Sequence, residues 1–144
     1  MIRLAQIPIR IEPAIAADGL GGGITAVLFE IVTLLERLVT VAAPAAIDLR
    51  SLPLNPQDRA ELQRVLGEGE VKATLNADGI SSIQETRVPG VWWVEHRDRH
   101  GELIAELIEV TRVPEILASA ANEIAAGARA LREQITPATP AHMR

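Results

Sequence analysis

The chain has 144 residues, 48% of them apolar and 23% charged, with a formal net charge of −5 at pH 7. That length suits one domain with its own core, and the acidic balance excludes the basic footprint of a nucleic-acid or anionic-membrane binder. There is no cysteine, which excludes disulfides, thiolate catalysis, zinc–thiolate sites and directly ligated Fe–S clusters.

Residues 1–23 form an N-terminal arm and a Gly-rich connector. Ile7, Ile9 and Ile11 alternate, but Pro8 limits the segment to an edge strand or an extended arm. No unbroken apolar run of the signal-peptide kind is present, and with no cysteine the expectation is a cytoplasmic protein. Gly19-Leu-Gly-Gly-Gly23 precedes a helix. It lacks the Gly-Lys-Ser/Thr ending of a phosphate loop, and Ile24 stands where a dinucleotide fingerprint needs its third glycine. A connector is the better account.

Residues 24–43 have helical periodicity. Glu30, Thr33, Glu36, Arg37 and Thr40 make one narrow polar stripe, and the remaining girth is almost wholly apolar. Charges at a bilayer centre cost about 2.5–3.5 kcal/mol each, so this is not a membrane span. A helix this apolar needs cover on more than one side. The cover is either the rest of the domain or a partner, and a homodimer through residues 24–43 is one such expectation.

Ile47 to Leu54 follows as a short extended connector. Asn55-Pro56 marks a helix start, with Asn at the cap and Pro at the first turn. This second helix carries Leu62, Val65 and Leu66 and stops at Gly67.

From Gly69 the period becomes two. Val71, Ala73 and Leu75 alternate with polar residues, Asp78-Gly79 is a hairpin turn, and Ile80–Val88 is a second strand. Pro89-Gly90 turns the chain into a third strand, Val91–Arg97, and Asp98–Gly101 turns it again into Leu103–Thr111. This predicts a four-stranded antiparallel meander. A last helix opens at Pro114, with Leu117, Ala120, Ala121, Ile124, Ala128, Leu131 and Ile135 on one face. Residues 136–144 carry no packing pattern and are expected to be disordered. The fold class is therefore α+β: a four-stranded meander packed with about three helices in a single domain over residues 24–135.

Trp92 and Trp93 are two of only three aromatic residues. Neighbours on a strand face opposite ways, and parity alone does not say which indole is inside. Thr-Arg-Val-Pro occurs at 86–89 and again at 111–114. In a meander both copies end strands at one edge of the sheet, where the Trp-bearing strand begins. Glu85, Arg87, Trp92, Trp93, Glu109 and Arg112 are thereby expected in one neighbourhood and form the candidate partner-binding set, since Trp and Arg are frequent hot spots. The plainer account is that Thr-x-x-Pro ends a strand conveniently.

Enzymatic chemistry finds no support. His96, Asp98 and His100 around one turn fall short of the three or four preorganised ligands of a metal site. The serines lack a nucleophile elbow, and no glutamate has a placeable catalytic partner. No cofactor, metal or catalytic residue is expected.

Several ordered segments carry a family likeness: the apolar helix, Ile47-Asp48-Leu49-x-Ser51-Leu52-Pro53-Leu54, Leu66-Gly67-Glu68-Gly69-Glu70-Val71, Glu85-Thr86-x-x-Pro89-Gly90-Val91-Trp92 and Ile108-Glu109-Val110-x-x-x-Pro114. Over roughly residues 24–120 the chain resembles the HupH/HyaF family of hydrogenase expression proteins, in particular its C-terminal domain. The likeness implies a non-enzymatic, chaperone-like factor in maturation of nickel–iron hydrogenase. Its expected partner is a hydrogenase subunit precursor, the Fe–S-bearing small subunit above all, or another maturation protein. Family members are longer at the N-terminus, so a surface covered internally there could here be covered by a second copy. The alternative is an interaction or oligomerisation module with no hydrogenase link.

Overall fold

The computed structural model describes residues 21–138. The expected N-terminal edge strand or arm, and the tail beyond residue 138, lie outside them. The described residues fall into two compact units, one up to Arg112 and one from Val113 on.

In the first unit, helix α1 spans Gly22–Val41. It buries Ile24, Val27 and Ile31, and Leu28, Leu34, Leu35 and Leu38 pack against the same core. The opposite side stays open, with Phe29 68% and Val39 84% exposed. The domain thus covers only part of the apolar girth.

Strand β1 follows at Ala45–Asp48, then a 3-10 turn at Leu49–Ser51. Helix α2, Pro56–Leu66, begins with a reciprocal capping box between Asn55 and Asp58. Each side chain accepts from the other residue's backbone N–H, which satisfies two donors that a helix start leaves unpaired. The hairpin strands are β2 (Lys72–Asn76), β3 (Ile80–Glu85), β4 (Val91–Arg97) and β5 (Leu103–Val110).

The sheet has five strands, not four, in the order β1-β5-β4-β3-β2, and all pairs are antiparallel. The extra strand is β1, whose Ile47 lies opposite Ile108. Four residues before a turn show too little alternation to announce a strand, and the pairing partner is sixty residues away in sequence. Only the closed sheet reveals it.

Strand register assigns the faces. Ile47, Ile108 and Trp93 are cross-strand neighbours, as are Val91 and Val110. This face meets α1 and α2 in one core with Leu49, Leu62 and Leu66. The other face carries Ile83, Trp92 and Val94, all buried. Both indoles are therefore buried, one on each side of the sheet.

The second unit holds a 3-10 turn, Glu115–Leu117, and helix α3, Ala121–Ile135. The last helix thus starts later than Pro114. Its alanines favour helix, and Glu123 near the start and Arg132 near the end suit the helix dipole. No residue of α3 is buried, so its expected packing face, including Ile124, Leu131 and Ile135, is exposed.

Candidate functional site

The expected strand-end neighbourhood takes shape around the loop from Thr86 to Val91. The Thr86 hydroxyl, buried, donates to Val91 O at 2.9 Å and accepts from Val88 N at 3.1 Å. Thr86 N also donates to Val91 O, and Val91 N to Val88 O, both at 3.0 Å. These bonds close the Pro89-Gly90 turn and pair the buried Thr86 hydroxyl. Gly90 has φ +90°, and a Cβ there would sit 3.2 Å from Leu35 Cδ2. Glycine here serves both the backbone angle and the close approach of α1.

The first residue of the second Thr-Arg-Val-Pro copy lies beside the turn and strand start that follow the first copy. Thr111 N donates to Gly90 O at 2.9 Å, and Trp92 Nε1 donates to Thr111 O at 3.2 Å. Glu85, Trp92 and Glu109 stand in one cross-strand row on β3, β4 and β5. The Glu85 carboxylate accepts from Glu70 N at 3.2 Å and Val71 N at 3.3 Å, pinning the entry to β2.

The remaining members spread out. Arg87 turns to the end of α2: its backbone N donates to Leu66 O at 2.9 Å, and its guanidinium lies over Gly67 and donates to Arg64 O at 3.4 Å. A cation beside the last carbonyls of a helix is favourably placed. Arg112 is exposed at the end of the first unit. Trp93 points to the opposite face from Trp92, so the six residues share one sheet end but not one surface.

Behind Trp93 lies an arrangement the sequence reading left unassembled. Trp93 Nε1 donates to Glu106 Oε2 at 3.0 Å, and Glu106 Oε1 is 2.6 Å from Arg59 Nε. The Glu106 side chain is 2% exposed and that of Arg59 28%. Both facing atoms are buried and make no aligned hydrogen bond, so the contact is chiefly ionic. A sequence signal existed. Glu106 has the parity of Ile108 and Val110 on β5, and Arg59 precedes Leu62 and Leu66 at helical spacing on α2.

Trp93 also forms one wall of a cavity of about 260 Å³. Gln63 of α2, Gly67 and Glu68, Lys72 of β2, Ser82 and Gln84 of β3 and Glu95 of β4 complete it. The lining mixes one aromatic surface with amides, a hydroxyl and charges of both signs.

At the far hairpin, Asp98 Oδ1 accepts from His100 N at 2.8 Å and Glu102 N at 2.9 Å, which makes it a turn-former. Ser81 Oγ and His96 Nδ1 are 2.7 Å apart. No group of three or more His, Asp or Glu residues that could hold a metal ion occurs among the described residues. None of the described helices is long and apolar enough to cross a membrane.

With this geometry in place, three comparisons with known proteins converge. A family model described as HupH hydrogenase expression protein, C-terminal conserved region, matches residues 23–137. The hydrogenase expression/formation protein HoxQ of Azotobacter vinelandii is 37% identical over 93 residues, 65% of this chain and 33% of the relative. HupH of Rhodobacter capsulatus is 34% identical over 63% of this chain and 33% of its own length. The hydrogenase-1 operon protein HyaF of Escherichia coli K12 is 29% identical over 64% and 32% respectively. The matches span about one third of the length of these relatives. The solved structure of hydrogenase expression protein HupH from Thiobacillus denitrificans superposes with a TM-score of 0.77 at 40% identity, covering 80% of this chain and 96% of that one.

Proposed function

The chain belongs to the HupH hydrogenase expression protein family, matching its C-terminal conserved region, and from that membership we propose that it is a non-enzymatic accessory factor that binds a hydrogenase subunit precursor in the cytoplasm. The Fe–S-bearing small subunit is the proposed client. The observation that carries this reading is the family match over residues 23–137, supported by relatives named as hydrogenase expression/formation proteins. The lack of cysteine suits a protein that handles a cluster-bearing subunit without ligating the cluster.

The proposed contact is the strand end formed by Glu85, Arg87, Trp92, Trp93, Glu109 and Arg112. Arg87 and Arg112 are exposed there, while the two indoles, 5% and 6% exposed, are buried on opposite faces of the sheet. Exposed arginines are among the residues most often found as hot spots. Replacing both Arg87 and Arg112 by alanine is expected to weaken precursor binding at least tenfold, about 1.4 kcal/mol, with an unchanged circular dichroism spectrum. Titration of the purified precursor by calorimetry measures it, and equal affinity of a folded double variant would refute the assignment.

A second copy over the exposed side of α1 belongs to the same proposal, favoured by Phe29, Val32 and Val39 in solvent. Light scattering is expected to show a mass that rises with concentration. A monomer mass at every concentration removes the dimer and leaves the client reading standing.

A further inference from the structure

We infer that the open edge of β2, together with the cavity over Trp93, receives an extended segment of the client as a sixth strand. This rests on the client reading above and adds how the client is held. Among the described residues strand β2 pairs only with β3, so it is one margin of the described sheet. In an antiparallel ladder, inward-facing and outward-facing backbone groups alternate along a strand. Glu85 N donates to Val71 O at 2.9 Å, so the inward set runs through Val71, Ala73 and Leu75. The N–H and C=O groups of Lys72, Thr74 and Asn76 then face away from the sheet. These three residues are exposed.

Alternating donors and acceptors at strand spacing are what another extended backbone supplies. The cavity adds a place for a side chain. Lys72 contributes to its lining from β2, Ser82 and Gln84 from β3, and Trp93 and Glu95 from β4, so its lining runs from this margin to the third strand in. An added strand would lie about 4.8 Å beyond β2, within reach of a long unbranched side chain. At about 260 Å³ the cavity is below the range of roughly 300–1,000 Å³ usual for small-molecule sites. It suits one side chain better than a whole cofactor. The indole offers that side chain an apolar surface, and Gln63, Glu68, Lys72, Ser82 and Glu95 offer its tip polar partners.

A second copy fits less well. Antiparallel pairing of two β2 strands about Thr74 sets Asn76 of the other copy beside Lys72. That side chain is too short to reach Trp93, and the cavity stays open.

The test uses the full chain and the purified small-subunit precursor. Two variants address the two halves of the contact. Thr74→Pro removes an outward N–H, which an edge strand tolerates, and Ser82→Trp fills the cavity. Each is expected to weaken precursor affinity about tenfold, and bound precursor is expected to slow hydrogen exchange at the Lys72 and Thr74 amides of the wild-type chain. The exchange measurement stands even if a variant fails to fold.

Precursor bound equally by both folded variants, with no new amide protection, overturns this inference and spares the client reading. Loss in Ser82→Trp alone, without protection at β2, overturns strand addition. Protection that rises with chain concentration in the absence of precursor identifies a second copy and overturns it too. Failure of the wild-type chain to bind precursor overturns both readings.

Discussion

Replacing Glu106 by alanine is expected to destabilise the first unit by about 3 kcal/mol, the low end of the ~3–5 kcal/mol seen when one partner of a buried ion pair is removed. The low end applies because Arg59 is 28% exposed and can regain water once its partner is gone. Two losses combine: the Arg59 guanidinium loses its counter-charge, and the Trp93 indole N–H loses its acceptor. Against the ~5–15 kcal/mol total of an ordinary domain, the loss is large. Urea denaturation should show a lower midpoint with an unchanged slope, which marks a change in stability alone. A change under about 1 kcal/mol would mean that the pair is not formed in solution. A Glu106→Leu, Arg59→Met double variant should recover most of the loss, because replacing both charges by apolar groups is often neutral or stabilising.

Trp93→Ala is the second large effect, with an expected cost of about 3–5 kcal/mol, the range for a buried large aromatic reduced to methyl. Trp93 is 6% exposed within the core cluster that joins α1, α2 and the sheet, so its removal leaves a cavity rather than a surface dent. Trp93→Phe separates packing from hydrogen bonding. It keeps a buried ring but strips Glu106 of its N–H donor, at an expected cost of about 1–3 kcal/mol for a buried acceptor left unsatisfied. Combining Trp93→Phe with Glu106→Ala should cost less than the sum of the two, since both remove one bond. Strict additivity, measured by the same denaturation, would show that the indole and the carboxylate do not interact.

These residues also show where sequence reasoning reached and where it stopped. The period of two from Gly69 onward placed β2, β4 and β5 within about a residue, and Asp78-Gly79 and Pro89-Gly90 marked turns, but the expected strand Ile80–Val88 ends at Glu85, where Thr86 begins the hydrogen-bonded turn. Asn55-Pro56 marked the start of α2, because a cap is a local device whose chemistry lies in adjacent residues. The meander order implied that β3 and β5 end at the same end of the sheet, and Glu85, Trp92 and Glu109 stand in one row there. Glu109 belongs to the candidate partner-binding set, whereas Glu106, three residues earlier, is buried against Arg59. Its parity was visible, but the identity of its partner was not. Arg59 and Glu106 are far apart in sequence and meet only when α2 lies across the sheet.

By itself, then, the sequence determined what local chemistry dictates: strand period, caps, turns, the exclusion of thiolate chemistry, and an ordered set of segments specific enough to indicate a family. The tertiary structure decided the rest. It added β1 as a fifth strand through pairing across sixty residues. It buried both indoles, one on each face of the sheet. It turned Arg87 onto the end of α2, and among the described residues it left β2 at the margin of the sheet beside a cavity. Each of these depends on which distant surfaces come into contact, and packing alone sets that. Residue order constrains packing only through the summed energetics of the whole chain.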